Sequence, residues 1–178
     1  MSFFVVVRGP LGVGKTTVAR RLATELGGAY ISVDRVLEEN RFEEWDNGRI
    51  SLKSFLEANL VLASEGAKSL ASEIPVVIDG NFYWMEAIED LVLRLGAPHF
   101  IFSLSAPLEV CAGRDASRPE TPAGREPRAG ERLGAESVAQ VYKLVSDVAY
   151  GVSIDAAGSV DSVLRTMLDS IRDPGSGD

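Results

Sequence analysis

The sequence predicts an α/β fold built on a parallel sheet, and three observations predict it. Apolar strand-like runs alternate along the chain with segments whose apolar residues recur every three or four positions. The first run, Phe3-Phe4-Val5-Val6-Val7, is β-branched and apolar without a break, the pattern of a strand covered on both faces. A glycine-rich turn follows it at once and leads into a helical pattern, so strand, turn and helix come in the order of a strand-to-helix unit.

In chain order, the first strand is expected at 3–8 and the first helix at 15–27. Val18, Ala19, Leu22, Ala23 and Leu26 give that helix its apolar stripe, and Gly27-Gly28 its stop. A strand at 29–33 (Ala29-Tyr30-Ile31-Ser32-Val33) precedes a short helix at 34–40. Residues 40–49 are polar around Phe42 and Trp45. They form either a loop over a ligand site or a surface connection whose aromatics cap the core. The helix at 51–72 carries Phe55, Leu56, Leu60, Val61, Ala67, Leu70 and Ala71 in a mainly helical stripe. Strands at 75–79 and 98–104 bracket a helix at 84–95, and a helix at 107–117 follows. After an irregular segment come a helix at 135–147, a strand at 151–155 and a helix at 159–172. Val160, Val163, Leu164, Met167, Leu168 and Ile171 set the spacing of the last. Asp173-Pro174-Gly175-Ser176-Gly177-Asp178 reads as a frayed tail. One domain is expected over 1–172, with 173–178 as the tail.

Composition narrows the function. With a formal net charge of −8 and no basic face outside one short segment, an extended nucleic-acid track is not expected. No apolar run approaches a membrane span, and the apolar N-terminus is a strand rather than a leader. Cys111 is the single cysteine, which suits a reducing, cytoplasmic setting. His99 is the single histidine, so no Cys/His cluster can build a zinc site.

The chemistry is announced by Gly9-Pro10-Leu11-Gly12-Val13-Gly14-Lys15-Thr16-Thr17, a complete G-x-x-x-x-G-K-[ST] loop. Backbone N–H groups of Gly9, Leu11, Gly12, Val13, Gly14, Lys15, Thr16 and Thr17 are placed to wrap a polyphosphate. The Lys15 ammonium faces the β- and γ-oxygens, and the Thr16 hydroxyl faces Mg²⁺. The helix N-terminus adds free donors and a positive dipole end. A nucleotide polyphosphate and Mg²⁺ are therefore the expected ligands.

Two carboxylates stand at strand ends, where ligands sit in an open parallel sheet. Asp34, after the second strand, can accept a hydrogen bond from an acceptor hydroxyl and orient it toward phosphorus; it can also cap the next helix. Asp79, ending Pro75-Val76-Val77-Ile78, is expected to help hold Mg²⁺ with Thr16; its other reading is an Asp-Gly turn with Gly80. Asn81, Phe82, Tyr83 and Trp84 follow, to contact an acceptor, wall its pocket or pack.

Segment 114–134 contains Arg114, Arg118, Arg125, Arg128 and Arg132, with three prolines and almost no large apolar residue. Arg114 and Arg118 are four apart, a spacing that places both on one helix face and lets them reach one anion. Guanidinium groups there neutralise charge on a phosphoryl group in transfer, and Arg114 also contributes to nucleotide binding. The composition suits a lid; the alternative is a solvated loop balanced by Asp115, Glu120, Glu126 and Glu131. Glu136, Gln140 and Tyr142 lie on the following helix, from which any of them can approach the phosphates or the acceptor. Ala156-Ala157-Gly158 is a turn suited to an adenine ring or to plain connection.

Taken in order, GPLGVGKTT, SVD at 32–34, VVIDGNF at 76–82, LEVCAGRDASR at 108–118 and SIDAAG at 153–158 resemble the small P-loop kinases of the nucleoside-monophosphate-kinase fold. The nearest branch holds polynucleotide 5′-hydroxyl kinases, zeta-toxin-like kinases and small-molecule kinases. The resemblance spans residues 3–172. It implies a three-layer P-loop NTPase with a five-stranded parallel sheet in the order 2-3-1-4-5, an Arg-rich lid, ATP·Mg²⁺ and a phosphorylated acceptor. Asp79-Gly80-Asn81-Phe82-Tyr83 lacks the arginine that grips a monophosphate in adenylate kinases, which argues against a nucleoside monophosphate acceptor. Asp34-Arg35-Val36 lacks the second carboxylate of shikimate kinases. The expectation is thus a kinase for a hydroxyl on a small molecule, a nucleoside or a nucleic-acid end, acting as a monomer or homodimer. Its alternative is a nucleotide-binding switch or ATPase without a phosphorylated acceptor.

Overall fold

The computed structural model describes residues 2–120 and 131–173. Fourteen elements appear in it, in the order β1 (Phe4–Arg8), α1 (Lys15–Glu25), β2 (Ala29–Ser32), α2 (Val33–Asn40), β3 (Trp45–Asp46), β4 (Arg49–Ile50), α3 (Leu52–Ala71), β5 (Val76–Gly80), α4 (Met85–Leu95), β6 (His99–Ser105), α5 (Leu108–Ala116), α6 (Ala135–Ser146), β7 (Val152–Asp155) and α7 (Val160–Arg172). The main sheet has five strands, ordered β2-β5-β1-β6-β7, and every pairing is parallel. Setting aside the small β3–β4 hairpin, that is the order 2-3-1-4-5 expected from the resemblance.

β1 explains its own sequence. Phe4 and Val6 enter one apolar cluster with α2, α3 and α4, whereas Val5 and Val7 enter a second with α1, α5 and α7. A strand buried on both faces must be apolar at every position, so the run has no alternation. α6 gives Val138 to the second cluster and Val145 to the first, and so crosses from one layer to the other. Helix starts follow local chemistry. The Ser51 hydroxyl accepts from Ser54 N at 3.1 Å and the Ser159 hydroxyl from Ser162 N at 3.2 Å, each satisfying a donor that the first turn leaves open.

Leu62 lies in the middle of α3 and is fully buried. Leu62→Ala is expected to cost about 2–5 kcal/mol, through lost transfer energy and the cavity left behind. A urea midpoint with unchanged m-value checks it.

One segment departs from the expectation of an irregular connection at 40–49. Trp45↔Ile50 and Asp46↔Arg49 pair antiparallel around Asn47 (φ 50°) and Gly48 (φ 77°). Both turn residues have positive φ, the conformation that Asn-Gly supplies in a two-residue hairpin. The hairpin is fastened to the sheet edge and to α6. Tyr83 Oη accepts from Ile50 N at 2.8 Å, Trp84 Nε1 donates to Ile50 O at 3.0 Å, and Gln140 Nε2 donates to Gly48 O at 2.7 Å. The Arg49 guanidinium lies 3.8 Å from the centre of the Trp84 ring.

Candidate active site

The loop between β1 and α1 sits at the carboxyl edge of the sheet. Gly14, at the helix N-cap, has φ 102°, and no side chain caps the first turn, which holds no acidic residue. The leading N–H groups of α1 therefore remain open to an anion. A Cβ on Gly12 would collide with the carbonyl of Cys111, so only glycine lets the loop lie against α5. Lys15 is the first residue of α1 and is buried. Its Nζ donates to Pro10 O at 3.0 Å, across the mouth of the loop. Burial pushes the Lys15 ammonium below its ordinary pKa, while Asp34 and Asp79 pull it back up.

Thr16 and Asp79 meet directly: Thr16 Oγ1 donates to Asp79 Oδ2 at 2.8 Å. Tyr30 Oη donates to the other oxygen, Oδ1, also at 2.8 Å. Asp79 is buried and both of its oxygens are in use. Among the described residues no cluster of three or more His, Cys, Asp or Glu could hold a metal by itself. One hydroxyl beside one carboxylate is instead the oxygen pair that suits Mg²⁺ when phosphates and water supply the remaining ligands. From the sequence Tyr30 is a strand residue with no part in the site. Its hydroxyl is pushed up to about 12, by burial first and then by the adjacent Asp79. Tyr30 and Ser32 alternate onto one face of β2, and the register that sets Ser32 beside Asp79 and Tyr30 beside Val77 appears only in the fold.

Asp34 stands one residue inside α2, so the helix cap that it was a candidate to provide comes from Ser32, whose hydroxyl accepts from Arg35 N at 3.4 Å. The half-buried Asp34 carboxylate has no hydrogen bond or ion pair among the described residues. Burial pushes its pKa up; Asp79 and Glu43 add to the shift, and Lys15 and Arg118 oppose it. A carboxyl whose pKa is raised by folding holds its proton more tightly in the folded chain than in the unfolded one. The resulting stability is complete below the unfolded pKa and is lost as pH rises through the folded pKa. Asp34→Asn, which stays neutral throughout, is therefore expected to melt above the wild type at pH 8 and level with it at pH 3. Differential scanning fluorimetry across that range checks this; a lower melting temperature at pH 8 contradicts it.

The two lid arginines part company, contrary to the expectation of a shared helix face. α5 ends at Ala116, so Arg118 lies beyond its last turn. Arg114 turns to backbone carbonyls: Nη1 donates to Val13 O at 3.0 Å and Ala156 O at 2.9 Å, and Nη2 to Ala157 O at 3.2 Å. It thereby ties the phosphate loop to the turn after β7. The positive charge of Arg118 instead bears on both Lys15 and Asp34, lowering the pKa of each. Its guanidinium is 3.6 Å from Asp115, whose carboxylate is nearly fully buried. Asp115 Oδ2 also accepts from Leu133 N at 3.1 Å and Gly134 N at 3.0 Å, joining the end of α5 to the start of α6. Asp115 is thus a staple across the roots of segment 114–134, not a solvated balancing charge. Arg132 N donates to Pro119 O at 2.9 Å within those roots. Arg125, Arg128 and Glu126 fall in 121–130, and the tail from Pro174 in 174–178; both lie outside the described residues.

Residues 4–140 match AAA_33, a family described as an AAA domain. The chain belongs to that family. The match runs from β1 through the phosphate loop, Asp34, Asp79 and both lid roots into α6. This AAA_33 member is also similar in fold to solved kinases. A sugar kinase from Janibacter sp. HTCC2649 aligns with TM-score 0.74 and 19% identity, over 97% of this chain and 95% of that one. A gluconokinase from Sinorhizobium meliloti 1021 aligns with TM-score 0.70 and 17% identity, over 94% and 90%. A shikimate kinase from Acinetobacter baumannii, in complex with shikimate, aligns with TM-score 0.60 and 21% identity, over 99% and 96%. No curated protein matches the chain. The architecture is that of the small P-loop kinases. No helix among the described residues is long and apolar enough to cross a membrane.

Proposed function

We propose that the protein is an ATP-dependent kinase that transfers the γ-phosphoryl group to a hydroxyl of a small molecule, with residues 1–172 acting as one kinase domain. The observation that carries the reading is Asp34: an unpartnered, half-buried carboxylate in the same electrostatic field as Lys15, Asp79 and Arg118. A nucleotide switch has no use for such a group, since holding a polyphosphate requires only the loop, Lys15 and the metal-side pair. The solved kinases of like fold, named for sugar, gluconate and shikimate, point to small hydroxyl acceptors as well.

In this reading the loop amides and Lys15 hold the β- and γ-phosphates, and Thr16 with Asp79 holds Mg²⁺. The metal, when bound, neutralises charge on the β- and γ-oxygens. Asp34 accepts the hydrogen bond of the acceptor hydroxyl and aims its oxygen at the γ-phosphorus. The new oxygen–phosphorus bond forms as the bond to the β-phosphate oxygen breaks; the hydroxyl proton passes to Asp34 and ADP leaves. Arg118 stabilises the phosphoryl group in flight. Arg114 serves the nucleotide side, by holding the phosphate loop against the turn at 156–158.

The test is transfer of labelled γ-phosphate from MgATP to a library of hydroxyl-bearing metabolites, nucleosides and short 5′-hydroxyl oligonucleotides, with Asp34→Asn as control. Label on a small molecule, lost in the variant, is the expected result. Label only on oligonucleotide ends would move the acceptor to nucleic acid. Release of free phosphate alone across the whole library would favour the switch.

A further inference from the structure

Arg8 closes β1, one residue before the phosphate loop, and is 1% exposed. Such a charge is normally paired with a carboxylate. Among the described residues none pairs with Arg8; its partners are neutral. Nε donates to Phe82 O at 3.2 Å, Nη1 to Ser103 Oγ at 2.9 Å and to Val148 O at 2.7 Å, and Nη2 to Val145 O at 3.0 Å. Burial lowers its pKa to about 10, which leaves it charged at neutral pH.

The four acceptors belong to three segments far apart in sequence. Val145 is in the last turn of α6 and Val148 lies two residues past its end, at the negative end of the dipole; Val145 O also accepts from Val148 N at 3.2 Å. Ser103 is on β6 and in turn donates to Tyr150 O. Phe82 lies in the turn leaving β5, three residues past Asp79. That turn is under strain. Phe82 has φ 40°, a region that bulky side chains rarely occupy. Its ring is fully buried, with its centre 5.9 Å from that of Phe55. A backbone held there needs neighbours that fix it, and the Arg8 Nε bond grips the carbonyl of this residue.

We propose that Arg8 is a positioning residue: its planar fork locks the strained turn after Asp79 to the end of α6. The inference rests on the kinase reading for what the turn positions, namely Asn81 and the acceptor wall of Tyr83 and Trp84. Asn81 fits that place, because its Oδ1 is buried and has no hydrogen-bond partner. A guanidinium is required because four bonds leave Arg8 from three nitrogens fixed in one plane; a lysine has three donors on a single atom and cannot span the same acceptors. An apolar replacement leaves buried carbonyls unpaired.

The experiment compares wild type, Arg8→Met and Arg8→Lys. Amide exchange is followed at 81–84 and 145–150, with α1 as internal control. MgATP affinity is measured by calorimetry, and label transfer on the acceptor library by initial rates. Both variants are expected to exchange at least tenfold faster at 81–84 and 145–150, with α1 unchanged. MgATP affinity should stay within about threefold while transfer falls about 10–100-fold, a split that general destabilisation does not produce. Arg8→Lys is expected to melt closer to wild type yet fail to restore transfer. Should Arg8→Met not fold, Arg8→Lys decides alone. Unchanged exchange at 81–84 in a folded variant, full transfer in Arg8→Lys, or parallel loss of affinity, rate and melting temperature overturns the proposal. A wild type that binds MgATP but labels nothing overturns the kinase reading, while the exchange arm still decides on Arg8.

Discussion

Lys15→Ala is expected to lower phosphoryl transfer by about 10²–10³, the loss typical of a preorganised charge removed from a developing anion. The side chain is already held where it is needed. Its Nζ donates to Pro10 O at 3.0 Å, and that carbonyl is the partner which incoming phosphate oxygens replace. The exchange of a neutral acceptor for a polyanion offsets the burial cost that lowers the ammonium's pKa. Single-turnover transfer from MgATP at saturating nucleotide measures the effect. Wild-type rates in the variant would place the phosphates somewhere other than this loop.

Asp34→Asn is the complementary case. Transfer is expected to fall by about 10²–10⁴, the range for a positioned proton acceptor, while MgATP affinity stays within about threefold. The separation follows from position. Asp34 is near the start of α2, on the far side of β5 from the phosphate loop, whereas the partners proposed for the nucleotide lie in the loop after β1, on α1 and in β5. Calorimetry beside the transfer assay tells the two apart. Loss of MgATP affinity in step with the rate would make Asp34 part of the nucleotide site. If the melting behaviour given above also holds, the Asp34→Asn variant is a more stable and less active protein, the trade expected where a charge is kept partly buried for chemistry.

Much of this was legible in the sequence because the signals are local. A strand covered on both faces must be apolar throughout, so Phe4 to Val7 declared their place; a helix with one buried stripe must repeat near 3.6, so α1, α3 and α7 did as well. The phosphate loop is contiguous, and Asp79 was marked by ending an apolar strand. What stayed hidden depends on partners distant in the chain. Tyr30 reaches Asp79 across 49 positions, and Arg8 reaches Phe82 across 74 and Val148 across 140. Nothing near Arg8 distinguishes it from an arginine that leaves a strand for solvent. The shared helix face expected for Arg114 and Arg118 failed for a different reason. The four-residue spacing holds only inside a helix, and α5 stops between them. The β3–β4 hairpin did have a local signal, since Asn47-Gly48 is a strong two-residue turn pair, but the strands on either side are two residues long and too short to show alternation.

That hairpin has an evolutionary consequence. It is a small clip, inserted between α2 and α3, and its backbone contacts reach the rest of the molecule through the side chains of Tyr83, Trp84 and Gln140. No strand of the central sheet depends on it for pairing. Its length and residues can therefore drift without disturbing the sheet or the phosphate loop. The six residues Trp45 to Ile50 can be rewritten without breaking a single pairing of the five-stranded sheet.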